Sequence, residues 1–153
     1  VKIATSAAFL GLSCLLFLSI SCVKAASESF SLDGNESLSR PVDLSAGDEL
    51  YVKLTVVGTQ HNMINFMLLN PEHQVVLERT NVASAEFKLK MPETGEYSFL
   101  FENLDSSESK HITFYFSVQH FILGYPQEMV LLFVTALIVL GAIVVFVAMS
   151  PKP

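Results

Sequence analysis

Four histidines, His61, His73, His111 and His120, are the side chains best suited to hold a transition metal or to move protons at neutral pH, and their spacing gives them no common centre. No two lie within one helical turn or on adjacent strand positions, and both cysteines, Cys14 and Cys22, stand far upstream. A metal site needs three or four donors converging on a point, so each histidine reads as a surface or loop residue. Asp43, Asp48, Glu49, Glu102 and Asp105 could offer oxygen ligands to calcium, but no Asp-x-Asp loop organises them and they read as solvated charges. Serine, histidine and aspartate all occur, yet there is no Gly-x-Ser-x-Gly elbow, no His-Glu-x-x-His pair and no glycine-rich phosphate loop. The expectation is a protein that is not an enzyme and has no catalytic residues, cofactor or metal. One modification motif stands out: Asn35-Glu36-Ser37 is a glycosylation sequon, with Asn35 as acceptor.

The elements that would carry these residues are written in period-two alternation, which places every second side chain on one face of a strand. Leu50, Val52, Leu54 and Val56 share a face, as do Ile64, Phe66 and Leu68, then Val75 and Leu77, then Phe87, Leu89 and Met91. Tyr97, Phe99 and Phe101 follow, and Ile112, Phe114, Phe116 and Val118 end the series; Phe30 with Leu32, and Leu38 with Val42 and Leu44, mark two weaker strands at its start. Turn formers separate the runs: Asp33-Gly34-Asn35, Ala46-Gly47-Asp48, Asn70-Pro71-Glu72, Pro92-Glu93-Thr94-Gly95 and Asp105-Ser106-Ser107. About eight strands with no crossover helix predict an all-β domain, an antiparallel β-sandwich of jelly-roll type whose phenylalanines fill the space between two sheets.

Both ends of the chain are apolar. Lys2, an apolar core over 7–20, and Val23-Lys24-Ala25-Ala26 have the layout of a signal peptide cleaved after Ala25. Cleavage would remove both cysteines, leaving residues 26–119 to fold as a sandwich with neither disulfide nor thiol. Residues 120–128 form a juxtamembrane linker in which Gly124 and Pro126 oppose helix. Met129 to Met149 holds 21 residues without a charge, about 31 Å of helix, enough to cross the ~30 Å hydrocarbon core once. Thr135, Ala136, Gly141 and Ala142 are its small residues; they form no small-x-x-x-small pair, though Gly141 would allow a second helix to approach and an oligomer to form through the span. Residues 150–153 make a short cytosolic tail with Lys152. Residues 26–128 carry six Lys or Arg against all 15 acids, a net charge of −9. By positive-inside bias the tail with Lys152 is expected in the cytosol and the acidic domain on the non-cytosolic side, as in a type I protein, and such acidity argues against nucleic acid as a partner.

Gly95-Glu96-Tyr97-Ser98-Phe99-Leu100-Phe101-Glu102-Asn103, preceded by a Pro-x-x-Gly turn and followed by a serine-rich loop and a final aromatic strand, resembles the end of a GOLD (Golgi-dynamics) domain. Phe30-Ser31-Leu32 and Leu44-Ser45-Ala46-Gly47-Asp48 resemble its opening. The similarity spans about residues 28–119 and extends to the layout of single-pass cargo receptors that cycle between endoplasmic reticulum and Golgi. It implies a lumenal sandwich that binds proteins in transport. Three features of those receptors are missing: the disulfide within the domain, the coiled coil before the membrane and the coat-binding tail.

The expected function is that of a membrane-anchored protein-binding module, a receptor or adaptor for exported proteins. The alternative is a small accessory subunit of a larger membrane complex. The partner is a protein on the non-cytosolic side, and residues 129–149 contact the bilayer of the plasma membrane in a prokaryote or of the ER and Golgi in a eukaryote. Sandwiches bind through end loops and sheet edges. The loops expected to do so are Thr59, Gln60, His61 and Asn62, and Leu104, Asp105, Ser106, Ser107, Glu108, Ser109 and Lys110.

Overall fold

The computed structural model describes residues 24–58 and 62–149. Most of the expected signal peptide, the loop residues Thr59, Gln60 and His61, and the tail 150–153 lie outside the described residues. What is described falls into two units, which divide between His120 and Phe121.

The first unit is built from eight strands: β1 (Lys24–Leu32), β2 (Ser37–Leu44), β3 (Glu49–Val57), β4 (Ile64–Leu69), β5 (Val75–Val82), β6 (Ser84–Lys90), β7 (Gly95–Glu102) and β8 (Lys110–Gln119). They pair into two four-stranded sheets, ordered β1-β8-β3-β6 and β2-β7-β4-β5, and every pairing is antiparallel. Consecutive strands mostly alternate between the sheets, which is the jelly-roll arrangement the sequence predicts.

Alternation accounts for the core. Leu50, Val52, Leu54 and Val56 of β3, Tyr97, Phe99 and Phe101 of β7, and Ile112, Phe114, Phe116 and Val118 of β8 are all buried. Between the sheets the rings form one network: Phe114 lies edge-on to Phe99 and to Phe101, each at 4.9 Å between centroids, and Phe66 packs 5.3 Å from Phe101. Such rings bring large apolar areas out of water and add favourable edge-to-face contacts.

Strand β5 departs from the expected pattern. Val75 and Leu77 were expected on one inward face, but Val75 is 53% exposed while Val82 is buried. The register between β4 and β5 shifts twice, between Ile64 and Phe66 and between Leu68 and Leu69, and each irregularity breaks the period-two parity. Strand β1 also begins earlier than expected. Lys24 and Ala25 already pair with Val118 and Ser117, so cleavage after Ala25 would leave β1 to begin at Ala26.

The sheet edges are guarded unevenly. Edge strand β2 carries Pro41 and β6 carries Glu86, Lys88 and Lys90, features that discourage pairing with a foreign strand. Across the open side between β1 and β2, Arg40 Nε lies 3.3 Å from Glu28 Oε2 and the Arg40 guanidinium sits 5.6 Å above the Phe30 ring.

Tyr97 is fully buried and its hydroxyl donates to the Glu93 carbonyl at 3.1 Å. Burial, aided by the nearby Glu93 carboxylate, raises its pKa above the usual tyrosine range. The neutral phenol is therefore retained in the folded chain after the unfolded chain has begun to ionise near pH 10. Its contribution to stability is complete below that pH and is lost as pH rises through the folded value. We expect unfolding free energy, followed by tryptophan-free ultraviolet difference spectra or circular dichroism, to fall above pH 10. Tyr97→Phe should lose about 1 kcal/mol at neutral pH with the hydrogen bond and show a shallower alkaline decline.

The second unit contains a short hairpin, β9 (Phe121–Ile122) paired with β10 (Tyr125–Pro126), followed directly by helix α1 (Gln127–Met149). The linker expected over 120–128 is thus a hairpin, and the helix starts two residues before Met129. Within Gln127–Val145 an 18-residue stretch has a mean hydropathy of 2.7. Thr135 Oγ1 is satisfied within the helix by donating to the Leu131 carbonyl at 2.7 Å.

Candidate functional site

The turns of the sandwich collect at two ends. At one lie the β2–β3, β4–β5 and β6–β7 turns and the end of β8 at Gln119. At the other lie the β1–β2 turn, the β3–β4 loop and the β7–β8 loop. β8 runs ten residues between the two ends, about 33 Å at strand rise. The two loops expected to bind partners therefore share one end, and it is the end away from His120, where the chain leaves the sandwich.

Asn103 holds this distal end together. It follows β7 on the same parity as Tyr97, Phe99 and Phe101, so its side chain turns inward and is 1% exposed. Its Nδ2 donates to three carbonyls, Glu108 at 2.8 Å, Asp33 at 3.0 Å and Leu32 at 3.3 Å. Three acceptors around one atom fix the orientation of the amide, because only the NH2 group can serve them. Its Oδ1 is buried with no hydrogen-bond partner among the described residues. The backbone repeats the connection: Asn103 N donates to the Glu36 carbonyl at 2.9 Å, and Asn35 N reaches the Asn103 and Ser106 carbonyls at 2.9 and 3.1 Å. Gly34 lets the two turns touch, since a Cβ there would stand 2.3 Å from the Ser107 backbone carbon.

Lys110, expected in an exposed loop, is instead the first residue of β8 and only 4% exposed. It shares the inward parity of Ile112 and Phe114. Its Nζ donates to the carbonyl of Met63 and so links the β7–β8 loop to the segment leading into β4. On that segment Asn62 Oδ1 accepts from Gly58 N at 2.6 Å. Leu104, Asp105, Ser107 and Ser109 are exposed as expected, Ser106 and Glu108 half-buried. Ser106 Oγ accepts from Glu108 N at 3.1 Å. Asn35 is exposed at the tip of the neighbouring turn with φ 63°.

Between these loops opens a cleft of about 150 Å³, lined by Asn65, Asn81, Glu102, Asn103, Asp105 and Lys110, with Met63 and Ile64 as its apolar wall. Asn65 and Asn81 are not singled out in the sequence; Glu102 is read there as a solvated acid and Asn103 only as the end of the Gly95–Asn103 motif. Around the same end three apolar side chains face water: Val57 at 57% exposure, Leu104 at 50% and Met63 at 44%. The arrangement offers hydrogen-bond donors and acceptors inside a polar notch and apolar surface at its margin.

Replacing Asn103 with aspartate keeps its shape but turns an oxygen toward three carbonyls. We expect Asn103→Asp to lose about 2–3 kcal/mol of stability in denaturant titration.

Among the described residues the histidines do not converge. His73 sits in the β4–β5 turn with φ 61°, and His111 lies on exposed β8 surface with Nδ1 3.5 Å from Ser31 Oγ. His120 departs most from a plain surface residue. It is half-buried, with Nδ1 2.8 Å from Oδ1 of buried Asp48, whose Oδ2 accepts from Ser45 N at 2.8 Å. Asp48 thus orders the proximal β2–β3 turn, where Gly47 adopts φ 90° and donates to the Met91 carbonyl. Among the described residues no group of three histidine, cysteine, aspartate or glutamate side chains is placed to hold a metal.

The family model described as emp24/gp25L/p24 family/GOLD matches residues 29–145, from within β1 to deep in α1. The chain belongs to the emp24/gp25L/p24 family. Among curated proteins no sequence matches it. Among solved structures it resembles the periplasmic inhibitor of g-type lysozyme PliG from Aeromonas hydrophila, with a TM-score of 0.52 and 17% identity over 64% of this chain and 89% of that one. PliG of Salmonella Typhimurium is also similar, with a TM-score of 0.45 and 10% identity over 65% and 91% of the two chains. So is the Yersinia pseudotuberculosis-derived mitogen, with a TM-score of 0.46 and 16% identity over 65% and 90%. At 17% identity the Aeromonas structure supports the sandwich fold alone. Members of the emp24/gp25L/p24 family are membrane-associated proteins of the secretory pathway, and α1 gives this member one helix long and apolar enough to span a bilayer.

Proposed function

We propose that this emp24/gp25L/p24 family member is a non-enzymatic receptor or adaptor of the secretory route. It is anchored by one crossing of α1 and binds exported proteins through the distal end of its sandwich. The observation that carries this reading is the joining of three loops, by Asn103 and Lys110, around a polar cleft with Val57, Met63 and Leu104 exposed at its margin. Partner surfaces commonly combine apolar contact with a few fixed polar groups. Buried anchoring holds such loops in one arrangement before a partner arrives, which lowers the ordering cost of binding. The family supports a role in trafficking, and the fold is one that the Aeromonas inhibitor also uses against a protein. A net charge of −9 over residues 26–128 favours partners with basic surfaces. In this reading the leader is removed, the sandwich is non-cytosolic and the topology is type I.

The test is site-specific photocrosslinking in native membranes, with the crosslinker at Leu104 or Met63 and, for comparison, at Glu72 in the opposite end. Protein adducts from the distal positions that are absent at Glu72 support the reading. Adducts of equal yield at both ends, or glycan capture without any protein adduct, would overturn it. Companions that stay bound stoichiometrically in mild detergent, with adducts arising from α1, would instead favour an accessory subunit.

A further inference from the structure

Four non-glycine residues have positive φ among the described residues: Asn35, His73, Asn81 and Leu123. Three are asparagine or histidine, which tolerate the left-handed region; a leucine there is an outlier. Leu123 (φ 52°) and Gly124 (φ 83°) are the two central residues of the β9–β10 hairpin. Two positive φ values in a two-residue connection make a type I′ turn, for which Asn-Gly is the favoured pair. The chain places leucine where asparagine would adopt the conformation more readily. It then leaves that leucine 93% exposed, beside Tyr125 at 64% and Ile122 at 40%. Backbone strain and exposed apolar surface coincide on one residue, and water compensates neither.

Position in the chain identifies what does. α1 begins at Gln127, the residue after Pro126, and the hairpin lies against the start of that helix. If α1 crosses a bilayer, the hairpin is held at the boundary between headgroups and acyl chains, where tyrosine with a polar tip and leucine or isoleucine with none are favoured. We propose that the β9–β10 hairpin is a lipid-binding wedge. Leu123 and Ile122 enter the outer acyl boundary, with Tyr125 at headgroup level, and give the span a second, non-helical grip on the same leaflet. A helix held at one end by interfacial side chains has its tilt and rotation restricted, and a two-stranded wedge restricts rotation more than a flexible linker. This proposal rests on the anchored reading above, and the experiment separates the two.

The chain has no tryptophan, so single replacements report one site each. Full-length protein carrying Tyr125→Trp, Leu140→Trp or Val75→Trp is reconstituted in phosphatidylcholine vesicles and quenched by aqueous iodide or by lipids brominated either near the headgroup or deep in the chain. We expect Tyr125→Trp to be at least about threefold less accessible to iodide than Val75→Trp, and to be quenched more by shallow than by deep bromines. Adding Leu123→Asn, which preserves the turn and removes the apolar tip, should restore much of the iodide accessibility. Iodide accessibility equal to Val75→Trp, with Leu140→Trp still quenched by deep bromines, overturns the wedge and leaves the anchor standing. Failure of deep bromines to reach Leu140→Trp overturns the anchor itself. A Tyr125→Trp signal shielded from iodide and bromines alike means that protein covers the hairpin and overturns lipid contact. An unchanged signal in the Leu123→Asn double variant overturns the role of Leu123.

Discussion

Phe101→Ala is expected to lower the stability of the sandwich by about 3–5 kcal/mol, the range for emptying a large buried aromatic site. Phe101 has no exposed surface and touches rings from three strands: Phe30 of β1 at 5.2 Å, Phe66 of β4 at 5.3 Å and Phe114 of β8 at 4.9 Å. Both sheets meet on this residue. Truncation removes dispersion contacts on every side, and rigid β-strands limit how far the walls can move in to fill the gap. A domain of this size is stable by roughly 5–15 kcal/mol in all, and no disulfide is available to residues 24–149 to compensate. Urea unfolding followed by circular dichroism would measure the loss. Val75→Ala, at a half-exposed edge position, serves as the reference and should change stability by less than about 1 kcal/mol. A Phe101→Ala value as small as that of Val75→Ala would mean that the two sheets do not enclose a shared core.

The second large effect concerns α1. Replacing both Leu137 and Leu140 with arginine puts two charges near the middle of the 127–149 helix, where each costs about 2.5–3.5 kcal/mol on insertion. Their sum, roughly 5–7 kcal/mol, should move the chain from the membrane pellet to the soluble fraction on alkaline carbonate extraction. The matched Leu137→Ile, Leu140→Ile chain should stay in the pellet. Retention of the double arginine variant would show that something other than this helix holds the protein to membranes.

Most of the fold could be read in advance because parity is a local signal with a global consequence. Once Leu50 to Val56 and Ile112 to Val118 are seen to alternate, their inward faces follow, and the turn residues divide the chain into eight strands. The same parity, carried two residues beyond Phe101 and two back from Ile112, turns Asn103 and Lys110 inward. Both residues are polar and border a serine-rich stretch, where a loop is the ordinary expectation. Burial there is repaid by hydrogen bonds to carbonyls of distant turns, which nothing near either residue announces. Strand β5 departs from the sequence pattern for the opposite reason: the bulges that shift its register carry no glycine or proline to mark them. The β9–β10 hairpin is not legible in the sequence because Leu-Gly is not a pair that signals a type I′ turn. That the two loops expected to bind lie at the same end was not readable from either loop, since it depends on which way each strand runs.

The pairing of β1 with β8 sets a schedule for biosynthesis. Ala26 pairs in the sheet with Phe116, a residue made 90 positions later, and at about 5–20 residues per second the ribosome needs roughly 5–20 s to deliver it. Until then the nascent sandwich has an open seam down one sheet. Closure of that seam waits for β8, the last strand of the sandwich to be made, so the fold is complete only when the chain reaches the hairpin and α1.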